Sequence, residues 1–302
     1  MRNKITVLIT LCVIFLLFGS VFAEEIGEWW KEEGEAPFTI TSDSPLLSSY
    51  PGGLVVDWGR KAAIMTGSSA VSGPMTVENR EKIRKLAENR ALDGLITSIG
   101  LVRVNSFTKL SDLLDNKYGL RASISDLIRK THRIVHEKVY KDAGVFEITI
   151  EFDLSSKRGL SGTLISVLLS DLESPTPSVP KAFAETSEAY TGLIVDASGL
   201  GIEGGLCPTI VSDDGREIYS LKRDIDKSAF ITDGFSDYVL AESQSSEEVS
   251  RAGSNPLLIG AKNKLKGPYD CDIVIPSSEA EKMIEADRSS GFLKKLKVVI
   301  LL

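Results

Sequence analysis

Histidine is nearly missing from this chain, with two in 302 residues, and cysteine is scarce, with three. A serine or cysteine nucleophile activated by histidine would have to use His132 or His136. No G-x-S-x-G elbow is present to expose a serine at the end of a strand. Positive charge is also in deficit, at 35 Lys and Arg against 42 Asp and Glu, for a net charge of -7. An acidic surface repels phosphate backbones, which argues against nucleic acid as a partner. It also disfavours tight binding to anionic membranes. Long apolar runs are absent except at the amino terminus, where one begins at Ile5.

That run has the three parts of a secretory signal peptide. Arg2 and Lys4 supply the positive region, and Ile5 to Phe18 carries no charge. Gly19 and Ser20 break the run, and Val21-Phe22-Ala23 places short residues where signal peptidase reads. Cleavage after Ala23 is expected. Loss of Arg2 and Lys4 with the leader takes the net charge from -7 to -9. The alternative is an uncleaved inner-membrane anchor, since Ile5 to Ala23 is nearly long enough to span a bilayer. Cys12 follows Leu11 in mid-run, a poor context for lipid attachment. After cleavage only Cys207 and Cys271 remain, and an oxidising compartment makes them a candidate disulfide. Closing that loop would stabilise the fold by roughly 4 kcal/mol. Two buried free thiols are the competing expectation.

The pattern divides the chain into a leader over 1–23, an acidic arm over 24–52, a first domain over 53–172, a Pro-rich linker over 173–189 and a second domain over 190–302. The arm holds Trp29-Trp30, Pro37, Pro45 and Pro51. Gly53 to Val71 reads as a bent strand or hairpin, ended by Gly73-Pro74. A long helix is expected next, capped by Thr76 with Glu78 in its first turn. Its apolar stripe is Ile83, Leu86, Ala87, Ala91, Gly94 and Leu95. Its polar face carries Glu78–Lys82, Glu81–Lys85 and Arg84–Glu88. Gly100 closes it. Leu101 to Phe107 is a strand candidate, and Leu110 to Leu114 and Ser123 to Lys130 are short helices. Arg133 to Tyr140 and Val145 to Leu154 alternate as a β-hairpin.

In the second domain, strands are expected at Leu193 to Asp196, Thr209 to Ser212, Arg216 to Tyr219, Pro256 to Ala261 and Asp272 to Ile275. Asp213-Asp214-Gly215 is a tight-turn signal. Ser278-Glu279-Ala280-Glu281 reads as a capping box for a helix running to about Arg288, with Gly291 as its stop. Lys297 to Leu302 is so apolar that it belongs in mid-sheet. The expected class is α+β, with two small mixed domains, each a mostly antiparallel sheet packed against helices.

Three groups of residues bear on chemistry. Gly199-Leu200-Gly201-Ile202-Glu203-Gly204 matches the dinucleotide fingerprint and follows a strand. Gly205 and Pro208 come next, so no helix amino terminus faces a pyrophosphate, and a wide turn is the better reading. His132 and His136 would share a helix face and could hold zinc, but on a strand they stand roughly 13 Å apart. Asp213, Asp214, Asp224 and Asp226 lack the alternating oxygen ligands of a calcium loop and read as turn and surface acids. No catalytic, cofactor-binding or metal-ligating set is assigned, and no cofactor is expected.

Several segments then resemble the bacterial Lpp-twenty lipoprotein family, which includes relatives of the flagellar assembly proteins P and T. They are Val56-Asp57-Trp58 ahead of the Gly67-Ser68-Ser69 turn, Leu86 to Leu95 on the long helix, Val102 to Ser106, Arg133-Ile134-Val135 and Gly144 to Ile150. The likeness covers about residues 56–154. It implies an α+β envelope domain and no catalytic residues, although the lipid-bearing cysteine common in the family has no usable counterpart here. The resulting expectation is a non-enzymatic exported protein of the periplasm or cell envelope. It would act in scaffolding or assembly, with envelope proteins as partners and no stable membrane insertion after cleavage. A periplasmic hydrolase and a small-ligand binder using the cleft between the domains are the alternatives.

Overall fold

The computed structural model describes residues 44–72, 76–115, 117, 119–140, 143–170, 189–242 and 245–302, without the side chains of 166–170. The expected leader and its Ala23 cleavage site, Trp29-Trp30, Gly73-Pro74 and the linker up to residue 188 lie outside the described residues.

The first half is built on one antiparallel sheet. Its strands are β1 (Leu47–Ser49), β2 (Val55–Asp57), β3 (Ala62–Ala70), β4 (Arg133–Tyr140) and β5 (Val145–Asp153), in the order β1-β2-β3-β5-β4. The expected hairpins are β2–β3 and β4–β5. Two boundaries move. β1 lies within the segment assigned to the arm, because its backbone completes the edge of β2. Gly67-Ser68-Ser69 is not a turn but the middle of β3. Gly67 sits where helix α1 (Val77–Ser98) crosses the strand, and a β-carbon there would lie 2.2 Å from the Ala87 carbonyl oxygen.

Helix α1 starts as expected, the Thr76 hydroxyl accepting from the Asn79 amide at 3.2 Å. Ile83, Ala87, Ala91, Leu92 and Leu95 are buried on the sheet, whereas Leu86 faces outward with 46% of its surface exposed. Four-residue spacing brought Leu86 to the rim of the stripe, where the sheet no longer covers it. Helices α2 (Leu110–Asp115) and α3 (Leu120–Thr131) follow. Helix α4 (Leu160–Ser170) was not expected, although Leu160, Leu164 and Leu168 recur at helical spacing and the first two are buried.

The second half holds two sheets. β6 (Gly192–Asp196), β9 (Asp237–Val239), β10 (Pro256–Gly260) and β13 (Val298–Leu301) form a sheet in the order β10-β6-β13-β9, parallel throughout. The terminal strand is in mid-sheet as its composition requires. β7 (Ile210–Ser212), β8 (Glu217–Tyr219), β11 (Asn263–Lys264) and β12 (Ile273–Ile275) form the other, in the order β11-β12-β7-β8, with β7–β12 parallel and both outer pairs antiparallel. The α+β class with sheets packed against helices holds. The antiparallel rule describes the first half and the two outer pairs, while the central sheet of the second half runs parallel. The cause is visible in Leu193-Ile194-Val195 and Val298 to Leu301. They are buried on both faces, one on the main core and the other on Val239, Ala252 and Val249, as parallel strands require.

Helices α5 (Lys227–Asp233) and α6 (Ser277–Ser290) complete the half. The expected capping box does not form at α6, where Pro276 is the N-cap and makes no side-chain bond. Asp213, arriving from the end of β7, takes the role instead. Its carboxylate accepts from the Ser277 amide at 3.0 Å and from the Ser277 hydroxyl. Gly291 ends the helix with φ 64°.

One hydrophobic core runs through both halves. Trp58, Val102, Val104 and Leu154 from the first meet Ile202, Cys207, Phe235 and Tyr238 from the second.

Candidate functional site

Leu101 to Phe107 does not form the expected strand. Its backbone is spent on the second half. The Leu206 amide donates to the Arg103 carbonyl at 3.0 Å, and the Cys207 amide to the Val104 carbonyl at 2.7 Å. The Ser106 hydroxyl accepts from the amides of Asp272 at 2.7 Å and Cys271 at 3.2 Å. In return Asp272 accepts from the amides of Ser106 at 3.1 Å and Thr209 at 2.8 Å. Asp272 is 1% exposed, and burial raises its pKa above the usual carboxylate range against the pull of these bonds. Arg103 closes the same seam by pairing with Glu203, and its Nε donates to the Tyr50 phenol at 3.0 Å.

A second patch of the seam centres on Trp58. Its Nε1 donates to the Ser48 hydroxyl at 2.9 Å, which holds the ring upright. Gly204 lies on the indole face so closely that a β-carbon would stand 2.2 Å from the ring. The Tyr238 ring meets the indole edge-on at 5.9 Å, and its hydroxyl both donates to and accepts from the Gly205 backbone. Gly204, the last residue of the fingerprint-like run, thus serves a contact between halves, while Gly199 and Gly201, with φ 72° and 64°, shape the turn expected there.

Beside Trp58 sits a charged cluster. Lys61, in the left-handed region with φ 53°, pairs with Asp237 and donates to the Asp233 carbonyl. Arg251 is buried and spends its guanidinium on the carbonyls of Leu296, Asp233, Gly234 and Phe235 and on Asp237 at 2.7 Å. Burial lowers the Lys61 pKa, with Asp237 opposing it. Asp237 is held below the usual range, because Lys61 and Arg251 outweigh its own burial. Trp58, Lys61, Ser155, Phe235, Ser236 and Tyr238 line a cavity between the halves, with about 300 Å³ of empty space including its open mouth. The Ser236 hydroxyl is buried there without a well-formed hydrogen bond among the described residues.

The residues singled out from sequence are scattered. His132 ends α3, its Nδ1 3.0 Å from the Ile128 carbonyl and its Nε2 3.2 Å from Glu88. His136 lies on β4 opposite Thr149. Asp214 bonds Ser212 and Arg216, Asp224 pairs with Lys294, and Asp226 caps α5 through the amides of Ser228 and Ala229. Cys207 and Cys271 are both buried and stand as free thiols. The parallel register that sets Ile273 beside Ile210 brings Cys271 level with Pro208, one residue out of step with Cys207. Neighbouring residues of extended chain point to opposite sides, which works against a bridge. Burial pushes the Cys271 thiol up to about 12 and Cys207 well above its ordinary value. Sequence reasoning missed Lys61, Ser236 and Arg251, whose roles depend on neighbours more than a hundred residues away or on burial with no periodic trace.

Among curated proteins, none matches the chain. Residues 192–302, just over a third of the chain, are similar to a family described as the second domain of Treponema pallidum Tp0624, and the match opens on the first residue of β6.

Proposed function

We propose that this is an exported, non-enzymatic envelope protein that acts in scaffolding or assembly by binding other envelope proteins, with its leader cut after Ala23. The Lpp-twenty likeness of 56–154 belongs to the same reading, as does the absence of stable membrane insertion once the leader is removed. The observation that carries it is Phe107. This ring is 57% exposed at the tip of a short loop, while its neighbour Ser106 is fully buried and bonded to Asp272. Asn105 stiffens the loop by accepting from the amides of Phe107 at 2.9 Å and Thr108 at 3.0 Å. An aromatic side chain presented on fixed backbone loses little entropy on docking, which is what a binding hot spot needs.

The test is cross-linking in intact cells followed by mass spectrometry of purified complexes. The expected result is a specific envelope protein recovered with the wild type and lost with Phe107→Ser, at equal cellular levels of the two. No specific partner, or one indifferent to Phe107, overturns the reading. Sequencing of the native protein should begin at Glu24, and a start at Met1 removes the cleaved leader from it.

A further inference from the structure

The cavity between the halves has an unusual polar inventory. Ser236 is 4% exposed, and its buried hydroxyl lies beside the Tyr238 phenol with no partner at full hydrogen-bond geometry among the described residues. The half-buried Ser155 hydroxyl makes no hydrogen bond among the described residues, the residue being held through its backbone amide by Asp153. Lys61 has three ammonium hydrogens and uses two, on Asp237 and the Asp233 carbonyl. The acceptors nearby are already taken. The carbonyls of Gly234 and Phe235 receive Arg251, and Phe235 also receives the Tyr219 hydroxyl. The Gly205 carbonyl receives Tyr238, and Ser161 spends its hydroxyl on Leu154. What remains is a set of donors. Lys61 is the charged residue of the lining; Arg251 and Asp237 pair with each other outside it, and the Asp233 side chain is exposed. Trp58, Leu154, Leu206 and Phe235 supply an apolar wall.

We propose that this cavity binds a small organic anion, a short-chain monocarboxylate, with the carboxylate between Lys61, Ser155 and Ser236 and the alkyl group against Trp58 and Phe235. A buried hydroxyl left unpaired costs free energy that a bound acceptor recovers. A site whose wall offers spare donors, one of them an ammonium, selects an anion over a neutral isostere. The cavity is small, so the ligand has only a few heavy atoms.

The probe is sodium propionate, titrated into the ¹⁵N-labelled protein at constant ionic strength against sodium chloride. Saturable amide shifts are expected at Gly205, Gly234, Phe235 and Ser236, with a rise in melting temperature. Ser236→Ala removes a hydroxyl with no well-formed bond among the described residues, so the variant should fold as well as wild type and bind propionate about ten-fold more weakly. Propionamide, of similar shape without the charge, should bind more weakly still. A linear, non-saturating response means that the cavity holds water alone and overturns the proposal. Equal affinity in Ser236→Ala, or equal binding of propionamide, overturns it too.

Discussion

Gly204 rests on the indole of Trp58 with no space between them for a β-carbon. Its φ is not in the left-handed region, so the requirement is contact and not backbone freedom. Gly204→Ala must therefore push the ring off Ser48 or open the seam. Overpacking of this kind should cost about 2–3 kcal/mol, read as a lower melting temperature and altered tryptophan fluorescence. An alanine variant as stable as wild type would show that the two halves do not touch there. The six-residue glycine run looked like a phosphate loop because glycine serves any close approach of backbone, whether to a pyrophosphate or to an indole. Local spacing does not distinguish the two. Asp272 is another residue whose role was hidden, since the amides it accepts from come from Ser106 and Thr209, far along the chain.

Among the elements, α6 shows how a local signal is overridden. Ser278 and Glu281 have capping-box spacing, yet the N-cap position falls two residues earlier, at Pro276, and the helix takes its cap from Asp213 just beyond β7. Lys262 and Ser277 hold the Asp213 carboxyl down to about 2. A depressed carboxyl pKa stabilises the fold above the ordinary value near 3.8 and loses that contribution as pH falls toward about 2. Asp213→Asn should therefore destabilise the protein at pH 7, and the difference from wild type should shrink between pH 4 and pH 2. Chemical denaturation across that range measures it, and a pH-independent difference would remove the cap. Helix ends of α1 and α6 at Thr76 and Gly291 were legible because their partners are close in sequence. The strand expected at Leu101 to Phe107 failed because its hydrogen bonds go to Leu206 and Cys207.

For the whole molecule, the two halves that composition separates share one core. Ser106, Asp272, Trp58, Tyr238 and Lys61 sit at their junction, and none has its environment without both halves. Unfolding should therefore be one cooperative transition, with far-ultraviolet circular dichroism and tryptophan fluorescence superimposing on a denaturant axis. Two separated transitions would mean that the halves are independent. The match of 192–302 to a domain family marks a unit of sequence. In this chain that unit is completed by the loop at Arg103 to Ser106.

Sequence alone determined the elements whose causes are local: the β4–β5 alternation, the capped α1, the Asp213 to Gly215 turn, and the apolar end strand that had to lie in mid-sheet. These depend on side-chain period and on caps within a few residues, and short-range sterics and hydrogen bonding act on them directly. Only the tertiary structure decided that the second half's main sheet is parallel, that the glycine run meets an indole, that two thiols stay apart, and that spare donors gather around one cavity. Each of those depends on which distant surfaces meet, and that is set by burying the whole apolar surface at once.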